Sequence, residues 1–217
     1  MNTMTGKRTA AMLGAMVLAA TLAGCGSGSW TSPSPSPPAS VVSPTPSPIE
    51  TEHTDADPAD VRTWTITEQG MGPVQLDELF ADAVAGVPNW TVDQNCTWAA
   101  FRNDQATGVT VYFARDSEVS DGNVTTIEAE STTDTVKPDG GPRTADGLGL
   151  GSTRDEVLAA HADAAEQKPT IGDGTLLRLG PAGPGQGTIF FSFRAGEDAV
   201  TAVTVTSRDE PPYEVCG

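Results

Sequence analysis

The sequence predicts an α+β fold of two tandem repeats, each a helix packed on a small antiparallel sheet. The first observation behind this is an internal repeat. Asp77–Phe80 matches Asp155–Leu158, Cys96–Phe101 matches Gly174–Leu179, Val109–Phe113 matches Ile189–Phe193, and Val124–Ser131 matches Val200–Ser207. The four matches run in order, and their offsets differ only by loop length, as duplication requires. The second is a helical apolar period at the start of each copy. The third is a set of period-two runs divided by Gly- and Asp-rich turns, such as Asp121-Gly122-Asn123 and Gly183 to Gly187, which argue antiparallel hairpins.

The elements follow in order. Trp64-Thr65-Ile66-Thr67 reads as an extra strand leading into the first copy. Leu76, Leu79, Phe80, Ala83 and Val84 fall on one apolar helical face. In the second copy Ser152 or Thr153 is the natural N-cap, with Asp155 or Glu156 three residues on, the capping-box pattern. Val157, Leu158 and His161 then face inward or lie at the edge of that face. Among the strands, Val109, Val111 and Phe113 share a face, as do Ile189, Phe191 and Phe193, and Val203 and Val205 continue the pattern. A sheet with one apolar face needs a cover, and each copy's helix can supply it.

The start of the chain is different. Lys7 and Arg8 precede an apolar run from Thr9 to Leu22. The run falls short of the ~20 residues of a membrane-spanning helix and reads as a cleavable signal. It ends in Leu22-Ala23-Gly24-Cys25, which resembles the lipobox of bacterial lipoproteins. The resemblance implies cleavage before Cys25, acylation of its thiol with palmitate-type chains, and a place on the outer side of the cell membrane. Two acyl chains anchor stably where one does not. The other reading is an ordinary secretory signal with a chance Cys. Eight of the 17 prolines lie between Gly26 and Asp60, mostly as Ser-Pro or Thr-Pro pairs. Such a tether favours extended polyproline II and reaches on the order of 100 Å at full stretch. The expected organisation is therefore a signal peptide at 1–24, lipidated Cys25 and a disordered tether at 25–60, and repeats at 61–135 and 136–217. His53, alone in the tether, reads as solvated.

With 12 basic and 29 acidic residues, the formal charge is −17, and loss of Lys7 and Arg8 with the signal makes it more negative. So acidic a chain does not bind nucleic acid or anionic lipid by general electrostatics. Once Cys25 is acylated, Cys96 and Cys216 remain. Outside the cytoplasm they most simply form a disulfide; the alternative is a reactive thiol or metal pair, which no nearby CxxC or His supports.

Gly151-Ser152-Thr153-Arg154-Asp155-Glu156-Val157 is similar to the Gly-x-Thr turn and following helix of the β-lactamase inhibitor protein family and of small lipoproteins of outer-membrane assembly. The Gly147-Leu-Gly-Leu-Gly-Ser-Thr153 string and the lipobox also resemble uncharacterised secreted actinobacterial proteins. The first copy departs from the pattern: Asp77 stands near where Gly is expected. The likeness carries over no inhibitory residue, because no contact loop matches.

Signals of chemistry are sparse. The Gly147–Thr153 string lacks the Lys of a P-loop and the last Gly of a dinucleotide fingerprint, and reads as a tight entry turn into a capped helix. His161 has no nucleophile elbow near it. Asp116 to Glu128 lacks the alternating ligands of a calcium loop. No catalytic residue, metal or cofactor is expected. Alternation turns Tyr112 and Phe190 to the sheet face away from the helices, with Trp98 beside them. They are either interface anchors or packed under a loop or between the copies. The expected function is a non-enzymatic, membrane-anchored extracytoplasmic binding module for a protein or cell-wall component. The alternatives are an inhibitor of a secreted hydrolase and a cell-envelope enzyme using His161.

Overall fold

The computed structural model describes residues 56–117, 119–133, 140–180 and 187–216. The signal, Cys25 and most of the tether lie outside the described residues. Those that are described belong to one compact unit, Glu50–Gly217.

A 3-10 turn, Val61–Thr63, leads into β1 (Thr65–Thr67), β2 (Gly70–Met71) and β3 (Val74–Gln75). Helix α1 (Phe80–Gly86) follows, then β4 (Thr91–Asp93), β5 (Cys96–Asp104), β6 (Val109–Arg115) and β7 (Val124–Ser131). Next come β8 (Arg143–Thr144), α2 (Arg154–Ala160), β9 (Ala165–Gln167), β10 (Thr175–Leu179), β11 (Thr188–Phe193) and β12 (Val200–Thr206).

This corrects the expected fold class. Among the described residues two helices of seven residues each stand against twelve strands, so the unit is mostly β. It is not a pair of helix-on-sheet repeats. A single eight-stranded sheet runs β4-β5-β6-β7-β12-β11-β10-β9. Its centre is the antiparallel pairing of β7 with β12, in which Glu128 faces Thr204 and Ala129 faces Val203. The physical reason is edge closure. A strand left at a sheet edge exposes a row of unpaired amides and carbonyls; β7 and β12 satisfy each other and leave only the three-residue strands β4 and β9 at the rims. The matched segments of the sequence fall on β5 and β10, β6 and β11, and β7 and β12, but they build one sheet.

Trp64–Thr67 also does something other than extend that sheet. β1 joins β2, β3 and, in parallel, β8 in a separate four-stranded sheet. Gly72 takes φ +58° there, and a Cβ on it would sit 2.4 Å from the Trp64 ring, so only glycine fits.

One face of the large sheet, with Val111, Phe113, Ile127, Phe191, Val203 and Val205, packs with α1, α2 and the small sheet into the main core. Trp64 stacks on Trp90 at 5.8 Å, Trp90 meets Phe113 at 5.0 Å, and Phe113 meets Phe80 at 5.5 Å. The capping box forms as read: Thr153 Oγ1 accepts the Glu156 amide at 3.2 Å, and Glu156 Oε2 accepts the Thr153 amide at 2.7 Å. Helix α1 starts later than its apolar pattern implies. Leu76 is buried ahead of it, and Leu79, its uncapped N-cap, is half exposed.

The entry turns of the two helices share a construction. The Asp77 amide donates to Val124 O and the Val124 amide to Glu78 O; the Gly151 amide donates to Val200 O and the Val200 amide to Ser152 O. Asp77 has φ +64° and Gly151 φ +79°. Asp77 thus holds the left-handed conformation that Gly151 adopts freely, and Asp is among the few side chains that tolerate it.

Candidate functional site

The face of the large sheet turned from the helices carries the candidate site. Register places Phe101, Tyr112, Glu128, Thr204, Phe190 and Arg178 in one row across six strands. Alternation correctly sends Tyr112 and Phe190 to this face. Of the two readings, exposed anchors or side chains packed under a loop or between the copies, burial agrees with packing: Tyr112 is 4% and Phe190 0% exposed. Tyr112 packs with Cys96, Ala99 and Ala114, joined by Trp98, Phe101 and Val215. Trp98 is half-buried and donates its indole N–H to Val215 O at 2.6 Å. Two of the three aromatics thus support the C-terminal segment that lies over the sheet.

That segment is pinned by the Cys96–Cys216 disulfide, with Cα atoms 5.4 Å apart. Its root is held by the Arg208–Asp116 ion pair. Glu210 Oε2 accepts the Thr170 amide at 3.1 Å. The two larger grooves above the sheet open beside this segment. One, of about 450 Å³, is lined by Leu176, Ser192 and Ala202 of the sheet, Ile171 of the β9–β10 loop, and Pro211 to Tyr213. The other, of about 420 Å³, is lined by Phe101, Tyr112, Glu130, and Pro212 to Cys216. Glu128 lines both. Tyr213 and Ile171, at 64% and 54% exposure, are the large apolar side chains at the grooves' open side.

Glu128 is 8% exposed. Thr204 Oγ1 donates to its Oε2 at 2.6 Å, and the Tyr112 hydroxyl hydrogen-bonds it as well. Desolvation outweighs these bonds and pushes its carboxyl up to about 7. Burial also raises Glu130, against the opposing field of Arg194. Burial, with the nearby Glu128 charge, raises the Tyr112 phenol well above its usual value. Glu128 was not singled out in the sequence. Within Val124–Ser131 it reads as an ordinary outward position of an alternating strand, and nothing local marks that face as covered.

The other residues weighed in the sequence lie elsewhere. His161 caps α2, with Nε2 3.4 Å from Asp146 Oδ2, and neither residue lines the two grooves. The amides of the Gly147–Thr153 string are used internally: Gly149 N donates to Ser152 Oγ, Ser152 N to Gly149 O, and Gly151 N to Val200 O. Among the described residues no three His, Cys, Asp or Glu side chains gather as a metal site, and no helix is long and apolar enough to cross a membrane. Comparison with protein-family models, with curated proteins and with solved structures finds no match to this chain.

Proposed function

We propose that the chain is a membrane-anchored extracytoplasmic lipoprotein, held through Cys25, whose folded unit is a non-enzymatic binding module for a protein or cell-wall component. The observation that carries the reading is the pair of grooves meeting at Glu128 beneath the disulfide-pinned C-terminal segment. Concave sites with apolar walls and a few buried polar groups are where ligands bind. The binding surface in this reading is the rim formed by Tyr213 and Ile171, with Tyr112 as buried support in the groove floor. The Ser/Pro-rich tether suits presentation of such a module away from the membrane.

The test is photo-crosslinking in living cells, with a benzophenone side chain placed at position 213, at 171, or at the exposed Asp82 of α1. Capture of the same partner from 213 and 171 but not from 82 is expected. With the benzophenone moved to the exposed position 214, Tyr213→Ala with Ile171→Ala should abolish that capture without moving the thermal midpoint. Undiminished capture by the double variant would overturn the reading.

A further inference from the structure

We propose that the groove lined by Phe101, Tyr112, Tyr213, Glu128, Glu130 and Glu214 receives a lysine or arginine side chain presented by a partner protein. This rests on the binding-module reading and names the chemistry that the module recognises.

The lining of this groove is of two kinds. Three residues are aromatic, and Phe101 and Tyr112 form a tilted pair with centroids 5.8 Å apart. Three are carboxylic acids, and among the described residues no basic side chain lines the groove. The field of Arg194 reaches Glu130 and that of Arg208 reaches Tyr112, but both side chains stay outside the lining. Aromatic faces attract cations through their quadrupole, and Glu130 and Glu214 add Coulomb attraction, whereas Glu128, buried as the acid, offers hydrogen bonding rather than charge. Glu130 sharpens the argument. It is half-buried on the inner wall, and burial raises its carboxyl against the field of Arg194, which does not line the groove. A half-dehydrated acid of this kind gains from a cation that enters beside it.

The geometry favours an organic cation. The three acids do not converge closely enough to form a metal-ligand cluster, whereas a cavity of about 420 Å³ floored by rings suits a long side chain with a charged tip. Tyr213 stands at the mouth, where its ring can cover the aliphatic stem. The chain's net charge of −17 steers cations towards it, without choosing the groove.

The test uses the full chain in neutral-detergent micelles, titrated calorimetrically with capped Gly-Ser-Lys-Ser-Gly and with its arginine and Nε-acetyl-lysine counterparts. The lysine and arginine peptides should bind at one site per chain, with the acetylated peptide at least roughly tenfold weaker. Glu130→Gln with Tyr213→Ala should weaken the lysine peptide by about tenfold at an unchanged thermal midpoint. Asp82→Asn, which removes one charge far from the groove, should leave binding unchanged. Equal binding of lysine and acetyl-lysine, or equal weakening by Asp82→Asn, would overturn the inference. Partner capture from position 213 without any preference for lysine or arginine would overturn it while leaving the binding-module reading intact. Loss of both would overturn both.

Discussion

Replacing Glu128 by Gln tests how deeply this carboxyl is committed to the neutral form. Its folded pKa of about 7 lies above the ordinary 4.5, with burial as the main cause. The folded state therefore holds the proton more tightly than the unfolded chain, and stability falls as pH rises between those values. The contribution is fully present below the unfolded pKa and is lost as pH rises through about 7. At 1.36 kcal/mol per unit, the gap corresponds to roughly 3 kcal/mol. Gln keeps the shape and an acceptor oxygen for the Thr204 hydroxyl, and it cannot ionise. Urea unfolding of both proteins from pH 4 to 8.5 gives a difference curve in which titrating groups not coupled to Glu128 cancel, leaving Glu128 and its interaction with Glu130. The cancelling groups include Asp60, Asp104 and Glu156, whose pKa values are lowered mainly by hydrogen bonds that oppose or exceed desolvation. Near pH 4 the two should be about equally stable, within the ~1 kcal/mol of one exchanged hydrogen bond. By pH 8 the variant should be the more stable by roughly 2–3 kcal/mol. A flat difference curve, or a wild type that gains on the variant as pH rises, would refute the argument that Glu128 is buried as the acid.

Two further predictions concern covalent and backbone terms. Reducing Cys96–Cys216, or replacing both with Ala, opens a 120-residue loop; it should cost up to about 5 kcal/mol on the chain-entropy model and should loosen the wall shared by both grooves, seen as faster proteolysis near Tyr213. Thiol titration of the unfolded, unreduced full chain should find no free Cys, and two or more would refute the pairing. Asp77→Gly should stabilise the fold by about 0.5–1 kcal/mol by relieving the left-handed residue, whereas Gly151→Ala should destabilise it by about 1 kcal/mol or more; equal effects in denaturant melts would refute the shared turn geometry.

What the sequence determined by itself was local. The side-chain period placed Val111 with Phe113 and Phe191 with Phe193 on the core face, because alternation is a property of a single strand. Ser152 or Thr153, with Asp155 or Glu156 three residues on, announced the start of α2, because a capping box closes within four residues, and the structure selects Thr153 with Glu156. Cysteine usage paired Cys96 with Cys216, since few partners were available. The same local reasoning noticed Asp77 in place of a glycine without finding the left-handed φ it must adopt. What only the tertiary structure decided was which elements meet across distance. The two final strands closed on each other and made one eight-stranded sheet, because mutual pairing removes two edges, a gain that no single segment reveals. The C-terminal segment settled over the face where Tyr112 and Glu128 stand, and that cover turned an outward-reading glutamate into a buried acid between two grooves. Burial is a property of what lies above a residue, and here the cover lies some 90 residues further along the chain.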